Sequence, residues 1–269
     1  MHSLPPEVAS QVSAVQAVLA QQLGSNLRAI HLFGSAVDGG LQPLSDVDLM
    51  VSVASPLAEE VRRSLMQALL QHSAWPGSST VLRALEVTVV ALAELVPWRY
   101  PPRREMQFGE WLREDIQAGR YEAAMPDHDL AILITKLRRH SVALLGPPAT
   151  ALFEQVPASH FKQSLAHTLS QWNEPPDWHG DERNVILALA RIWYTACTGE
   201  IAPKDRAAAW TADRLPAAHR PLMRRAANTY LHGLADDLGE TPEALARAIH
   251  FCKSEIEREL EGRARPLRT

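Results

Sequence analysis

The sequence predicts an α+β protein, with an N-terminal domain of a mixed sheet and helices over residues 1–157 and an all-α helical bundle over residues 158–269. The first half contains short apolar segments that alternate or are rich in β-branched residues, which is typical of strands. The second half repeats its apolar residues at helical spacing, and prolines cluster around the predicted boundary. The strand-like segments are 27–33, 46–53 and 83–90.

The N-terminal elements follow from the spacing of their apolar residues. The first helix, 6–23, repeats Val8, Val12, Val15 and Leu19 on one face and is expected to end at Gly24. A proline-broken connector at 96–104 separates the third strand from later segments of helical character. The further helices of this domain are predicted over 57–70, 105–119 and 130–145, and the last ends at a Gly-Pro-Pro sequence.

The C-terminal half shows no strand pattern, so it is expected to be a helical bundle followed by a frayed basic tail at 263–268. Apolar residues at helical spacing predict its helices. These helices are expected over 161–172, 184–198, 204–210, 217–231 and 242–260.

Composition limits the classes of function. The chain has 269 residues, 46% of them apolar and 22% charged, with a net charge of −4. An acidic balance without strips of basic and aromatic residues disfavours nucleic acid as the partner. Two cysteines are too few for a disulfide framework. Because neither a secretory leader nor a membrane span is evident, a cytoplasmic location is expected.

The most informative stretch is a Gly-Ser turn followed by two alternating aspartates. Gly34 and Ser35 follow an apolar strand, and such a turn offers backbone N–H groups and a hydroxyl to a phosphate. The period of two places Asp46 and Asp48 on one face of the next strand, while its valines and leucine face the core. Taken singly, a Gly-Ser pair is usually a plain turn, and Asp-x-Asp often marks a solvated edge.

A third acid, Glu86, stands in the middle of the β-branched strand 83–90. A carboxylate there is costly to bury unless it binds a cation or a donor. Carboxylate oxygens are the ligands that magnesium prefers, and two ions sharing them stabilise the attacking and leaving oxygens in phosphoryl chemistry. Glu86 is therefore expected to be a metal ligand or the base that accepts a proton from an attacking hydroxyl.

This combination resembles the nucleotidyltransferase superfamily that includes DNA polymerase beta. The chain is further similar to the streptomycin–spectinomycin adenylyltransferases, the aminoglycoside (3'')(9) adenylyltransferases, over nearly its whole length. The resemblance implies transfer of AMP from ATP to a hydroxyl of either drug, with release of pyrophosphate and antibiotic resistance. The segments that carry it are LFGSAVDGGL (32–41), ALEVTVV (84–90), REMQFGEWLREDI (104–116), WNEPPDWHGDERN (172–184), LARIWYT (189–195) and IAPKD (201–205).

The resemblance also implies roles for single residues. It makes Asp46, Asp48 and Glu86 ligands of two magnesium ions, with Glu86 as the catalytic base. It further implies a set of contacts to the ATP co-substrate, for which cations suit the triphosphate. Those ATP-binding residues are Ser35, Ser45, Asp46, Asp129, Arg191, Lys204 and Tyr230, of which Tyr230 would serve equally well in packing.

Recognition of the two drugs requires acids, because both antibiotics are cationic. The resemblance implies that Asp181 contacts both drugs, whereas Trp111, Trp172 and Asp177 serve the larger streptomycin. Two of these residues have a structural alternative: Asp181 would suit the N-cap of the next helix, and Trp111 would more often be a core residue.

Three other classes compete with this hypothesis. A nucleotidyltransferase acting on RNA, on protein or on a different antibiotic would share the carboxylates. A catalytically inactive nucleotide-binding regulator would have no need of Glu86 as a base. A helical-bundle interaction protein would leave the acid in the third strand unexplained. The small-molecule enzyme is favoured, and it is expected to act as a monomer without a nucleic-acid or membrane partner.

Overall fold

The computed structural model describes residues 6–262, so residues 1–5 and the predicted basic tail lie outside the described range. The chain divides into two compact units, the first ending at Pro157 and the second beginning at Ala158. The first unit combines a mixed sheet with helices, and the described part of the second unit is helical. The predicted α+β fold class is therefore confirmed.

The strands all belong to the first unit among the described residues. They are β1 (Leu27–Phe33), β2 (Val47–Val53), β3 (Leu85–Ala91), β4 (Arg103–Arg104), β5 (Met106–Phe108), β6 (Met125–Pro126) and β7 (Val142–Leu145). The main sheet has the order β5-β3-β2-β1-β7, and β4 pairs separately with β6. Strand β2 runs parallel to β3, whereas the other pairs are antiparallel, which makes the main sheet mixed.

The helices of the first unit are α1 (Pro6–Leu23), α2 (Glu59–Leu69), α3 (Leu92–Leu95), α4 (Arg113–Gln117), α5 (Asp129–Arg139) and α6 (Ala149–Leu152). Those of the second unit are α7 (Ala158–Leu169), α8 (Glu182–Thr198), α9 (Lys204–Arg214), α10 (Arg220–His232) and α11 (Pro242–Leu260). Helix α8 packs against α7, α9, α10 and α11 and so forms the centre of the bundle. No helix within residues 6–262 has the length and apolar character needed to cross a bilayer.

The alternation along β2 and β3 positions the carboxylates. The core-facing residues of both strands pack with the apolar stripes of α1 and α2, as their period of two predicts. The opposite face is also covered over much of its area, because Met50, Ser52 and Thr88 are fully buried and α5 packs against β1. Asp48 and Glu86 lie on this second face near the starts of their strands and are partly exposed.

The prediction of a helix over 105–119 is wrong in its first part. Residues 106–108 form β5, which pairs with β3 and buries Met106 and Phe108 in the core. A short 3-10 turn, Glu110–Leu112, and the short helix α4 follow. A three-residue strand shows no readable period, and here the unpaired edge of β3 determines the backbone conformation.

The expected helix 130–145 is also too long. Helix α5 ends at Arg139, and residues 142–145 form β7, which pairs with the outer edge of β1 through His31 and Ala143. Pairing with that edge satisfies the backbone donors and acceptors that a continued helix would have satisfied internally. Tertiary pairing therefore overrides the helical pattern of the sequence.

Candidate active site

The turn after β1 is built closely around Asp48. Gly34 has a φ of +72°, and the N–H groups of Val37 and Asp38 donate to its carbonyl oxygen at 3.1 and 2.9 Å. A Cβ atom at position 34 would come within 1.7 Å of Asp48 Oδ2. Both the left-handed backbone and the close approach therefore require glycine at this position. Ser35 lies in the same turn and is partly exposed.

Ser45 is fixed just before β2 by its own turn. Its N–H donates to Gln42 O at 3.0 Å, and the Gln42 N–H donates to Ser45 Oγ at 2.9 Å. Arg83 donates to the carbonyl oxygens of Gln42 (2.8 Å) and Ser45 (3.1 Å), which ties this turn to the chain that enters β3. No sequence pattern indicates this role of Arg83, because it depends on two segments that meet only in the fold.

The predicted magnesium ligands share one face of the sheet. In the parallel β2–β3 ladder, Asp48 is the direct register partner of Glu86. Neighbouring strands lie about 4.8 Å apart, so these carboxylates start from adjacent positions. Asp46 precedes Asp48 by two residues and all three are half-buried. Within residues 6–262, no three histidine, cysteine, aspartate or glutamate side chains converge as a ready metal cluster.

The donor chemistry at these positions nevertheless fits magnesium, which prefers carboxylate oxygens and retains several waters rather than demanding an all-protein cage. Adjacent, partly exposed carboxylates on neighbouring strands are suited to share a hard cation. The structure thus brings the Asp48 and Glu86 positions together, and metal binding by these residues and Asp46 stays a prediction.

Asp129 is the first residue of α5. Its N–H donates to Asp127 Oδ1 at 2.9 Å, and Arg104 pairs with the other oxygen of Asp127 at 3.1 Å. An acid in the first helical turn is favourable to the helix dipole, which is sufficient structural reason for Asp129. Its predicted contact with the nucleotide remains untested.

Trp111 is exposed, contrary to the core alternative. Its side chain is 55% exposed, and its ring lies so close to Gly109 that a Cβ atom there would come within 2.2 Å of it. The neighbouring Glu110 is buried and accepts hydrogen bonds from Arg113 (2.6 and 2.9 Å) and from the Ser73 hydroxyl. Burial raises the pKa of the Glu110 carboxyl, but these hydrogen bonds outweigh it and the pKa is lowered overall.

In the second unit, two of the predicted ATP-binding residues are in contact. The Nζ atom of Lys204, at the start of α9, lies 5.1 Å from the centre of the Tyr230 ring on α10. Tyr230 is mostly buried, so it packs in the bundle and also faces a cation. Arg191 lies on α8, which packs against both helices, and is half-buried.

The segment 172–181, predicted to bind drugs, is held by its own side chains. Asp177 Oδ2 accepts the N–H groups of Glu174 (2.9 Å) and Asn173 (2.7 Å), and these bonds lower the pKa of its exposed carboxyl. Lys253 on α11 donates to the Trp172 carbonyl oxygen and to Asn173 Oδ1. No local sequence pattern distinguishes Lys253, which holds the backbone of the half-buried Trp172 from a distant helix.

Asp181 occupies the N-cap position of α8, but its side chain makes no capping bond to the backbone. Its Oδ1 atom instead accepts a hydrogen bond from the Asn184 side chain at 2.7 Å. The capping alternative therefore does not explain this aspartate. Its exposed carboxylate is in a position to accept hydrogen bonds from a cationic ligand.

Comparison with known proteins agrees with the fold. The family model described as "Aminoglycoside adenylyltransferase, C-terminal domain" matches residues 151–255. An aminoglycoside (3'') (9) adenylyltransferase of Escherichia coli is 53% identical over 250 residues, covering 93% of this chain and 95% of that protein. A spectinomycin 9-adenylyltransferase of Staphylococcus aureus is 38% identical over 255 residues, covering 94% of this chain and 97% of that protein.

A solved structure is also similar. The crystal structure of spectinomycin adenyltransferase AAD(9) from Enterococcus faecialis with ATP and spectinomycin has a TM-score of 0.86 and 30% sequence identity. The match covers 92% of this chain and 98% of that one. These relatives are adenylyltransferases, so the chain is of the nucleotidyltransferase class. The chain belongs to the aminoglycoside adenylyltransferase family.

Proposed function

We propose that this protein transfers AMP from ATP to the 3'' hydroxyl of streptomycin and the 9 hydroxyl of spectinomycin, and so confers resistance to both. The single observation that carries the proposal is the register of Asp48 with Glu86 beside the Gly34 turn, in a chain 53% identical to a relative named for both positions. Spectinomycin 9-adenylyltransferases are more distant at 38% identity, which favours the dual specificity over the single one.

In the proposed reaction, the drug hydroxyl oxygen forms a bond to the α-phosphorus of ATP as the bond to the bridging oxygen breaks. Pyrophosphate leaves with the electron pair of that bond. Glu86 accepts the hydroxyl proton, which makes the attacking oxygen a better nucleophile. Its partial exposure allows the hydroxyl to reach it, and its buried neighbours on the sheet hold its backbone in place.

Asp46, Asp48 and Glu86 would hold magnesium, and two ions are proposed. Bound there, magnesium would neutralise charge on the phosphate oxygens. Ser35 and Ser45 are proposed to donate hydrogen bonds to the triphosphate. Gly34 lets its turn approach Asp48 closely, because it has no Cβ atom.

The second unit is proposed to contribute cations and an aromatic ring to nucleotide binding. Lys204 and Arg191 would balance the negative charge of ATP, and the Tyr230 ring would fix the ammonium of Lys204. Asp129 is likewise proposed to contact the nucleotide. Because Lys204 opens a helix, where a cation is unfavourable to the dipole, binding of an anion there would offset that cost.

Drug recognition is proposed to rest on acids and exposed aromatic rings. Asp181 would accept hydrogen bonds from both drugs. Trp111, Trp172 and Asp177 would contact the larger streptomycin. Asp177 keeps Oδ1 for a ligand, because its two backbone hydrogen bonds use Oδ2.

The test of the proposed base is Glu86→Gln, which keeps the shape of the side chain and removes its proton acceptor. Loss of a general base typically costs about 10²- to 10⁴-fold in rate. AMP transfer, followed as pyrophosphate release with each drug, should fall by that factor, whereas calorimetry should show ATP binding largely intact. Glu60→Gln, an exposed acid on α2, is the control. Transfer at the wild-type rate in Glu86→Gln would remove Glu86 as the base.

Resistance profiling separates the proposed acceptors from those of other antibiotic nucleotidyltransferases. Cells that express the protein should grow on streptomycin and spectinomycin and should remain sensitive to kanamycin. Resistance to kanamycin without resistance to the other two drugs would overturn the proposal.

A cytoplasmic location, a monomeric state and the lack of a nucleic-acid partner are also proposed for this protein. Light scattering of the purified protein tests the monomeric state.

A further inference from the structure

A buried glutamine faces the proposed catalytic base. Gln107 is the middle residue of β5, and its neighbours Met106 and Phe108 point into the core. It therefore lies on the opposite face of the sheet, in register with Thr88 of β3 and next to Glu86. Gln107 is only 6% exposed, and Thr88 is fully buried. Core packing alone would favour an apolar residue at such a position.

The hydrogen bonds of Gln107 define its orientation. Its Nε2 atom donates to Glu86 Oε1 at 3.2 Å, and its Oε1 atom accepts the Thr88 hydroxyl at 2.9 Å. Arg104 Nη1 lies 3.5 Å from the same oxygen. An ionised carboxylate only accepts and a guanidinium only donates, so the amide can satisfy both neighbours in one orientation alone. The NH₂ group is therefore directed at Glu86.

Arg104 is itself held by acids on the other side. It pairs with Glu122 and with Asp127, each at 3.1 Å. Asp127 in turn accepts the N–H of Asp129 at the start of α5. The amide of Gln107 thus connects Glu86 to a series of polar contacts through Arg104 and Asp127 that ends at Asp129, the first residue of α5.

We infer that Gln107 is a positioning residue for Glu86. Its N–H bond to Oε1 restricts rotation of the Glu86 carboxylate and so orients it toward the attacking hydroxyl. Arg104 keeps the amide from turning over, because a reversed amide would place an N–H group against its guanidinium. This inference rests on the proposed function only for the role of Glu86, since the hydrogen bonds hold whatever the reaction.

The kinetic test uses Gln107→Met, which has nearly the same length and no hydrogen-bonding amide. Loss of a residue that orients a catalytic group typically costs roughly 10- to 100-fold in activity. We expect that loss in kcat, with KM for ATP changed by no more than about twofold. Gln67→Met is the matched control, because Gln67 is an exposed glutamine whose amide donates only to the Tyr121 hydroxyl among the hydrogen bonds described. Gln107→Asn repeats the test with a smaller change in packing.

The second readout is independent of activity. In ¹⁵N-labelled protein, the side-chain amide signals of Gln107 are those missing from Gln107→Met or displaced in Gln107→Asn. These signals should shift in Glu86→Gln, in which a neutral amide replaces the charged acceptor, and the Gln67 signals should not move. Unshifted Gln107 signals would overturn the inference.

The two measurements distinguish the possible failures. If the wild-type protein adenylylates neither drug, the proposed function fails, and the amide signals still decide whether Gln107 binds Glu86. If the wild type is active and Gln107→Met keeps its full kcat, the positioning role is wrong while the proposed function stands.

Discussion

Replacing Gly34 by alanine perturbs the candidate site at its tightest point. The added methyl group would stand 1.7 Å from Asp48 Oδ2, whereas real Cβ contacts are essentially never shorter than 3.0 Å. The Asp48 carboxylate must therefore move by more than an ångström or the turn must open. The left-handed backbone at this position adds strain of about 1–2 kcal/mol for alanine.

The expected effect is much larger on catalysis than on stability. A misplacement of about 1 Å in a reacting group can cost roughly 10²-fold in rate, and we expect a loss of that size in kcat. The strain corresponds to a fall in Tm of a few degrees, at about 2–4 °C per kcal/mol for a chain of comparable size. The two effects are measured by pyrophosphate release at saturating spectinomycin and by calorimetry.

Gly24→Ala is the matched control. Gly24 lies before β1, the strand that Gly34 follows, and it also has a positive φ, +50°. A Cβ atom at position 24 would meet nothing within 4 Å. It should show the backbone cost in Tm and keep the wild-type kcat. If Gly34→Ala turned over as fast as Gly24→Ala, the contact between the turn and Asp48 would have no catalytic meaning and the reasoning would be refuted.

Two further predictions follow from other contacts. In Gly109→Ala, the added Cβ atom would lie 2.2 Å from the Trp111 ring and must displace that ring. The KM for streptomycin should therefore rise about two- to tenfold, while the KM for spectinomycin stays constant. Equal rises in both KM values would argue against a selective role for Trp111. His31 is fully buried, donates from Nε2 to Pro147 O at 3.0 Å, and has no hydrogen-bond partner at Nδ1 among the described residues. Burial lowers the pKa of His31 below its ordinary value of 6.5, so the stability it contributes is complete above pH 6.5 and is lost as the pH falls toward the lowered pKa. Urea unfolding at pH 7.5 and 5.5 should show a smaller loss in His31→Gln than in the wild type, and equal losses would contradict this assignment.

The helical second half and the first three strands could be predicted because their patterns are long. Residues 85–89 alternate apolar and polar side chains within the seven-residue strand β3, which separates the core face from the face of Glu86. Strands β5 and β7 have three and four residues, too few to show a period, and both segments were predicted as helix. Each forms because an edge of the central sheet would otherwise leave its hydrogen-bonding groups unpaired.

The resemblance to the adenylyltransferases is confirmed by the relatives. It implies roles for the site residues, but it does not identify the residues that hold them in place. Arg83, Gln107 and Lys253 each hold a proposed site residue from a segment far away in the chain. No local pattern distinguishes such residues from ordinary polar ones. Their hydrogen-bond partners lie on distant segments, which come together only in the tertiary structure.

By itself, the sequence determined which chemistry-bearing groups are present and on which face of a strand each lies, because strand alternation is a local property of the backbone. Only the tertiary structure decided that Asp48 and Glu86 are register partners and that Gly34 touches Asp48. Register between strands separated by a helix depends on how that helix packs, and the close approach of Gly34 to Asp48 depends on both strands at once. Such relations are set by the packing of the whole unit, so they cannot be derived from the spacing of residues along the chain.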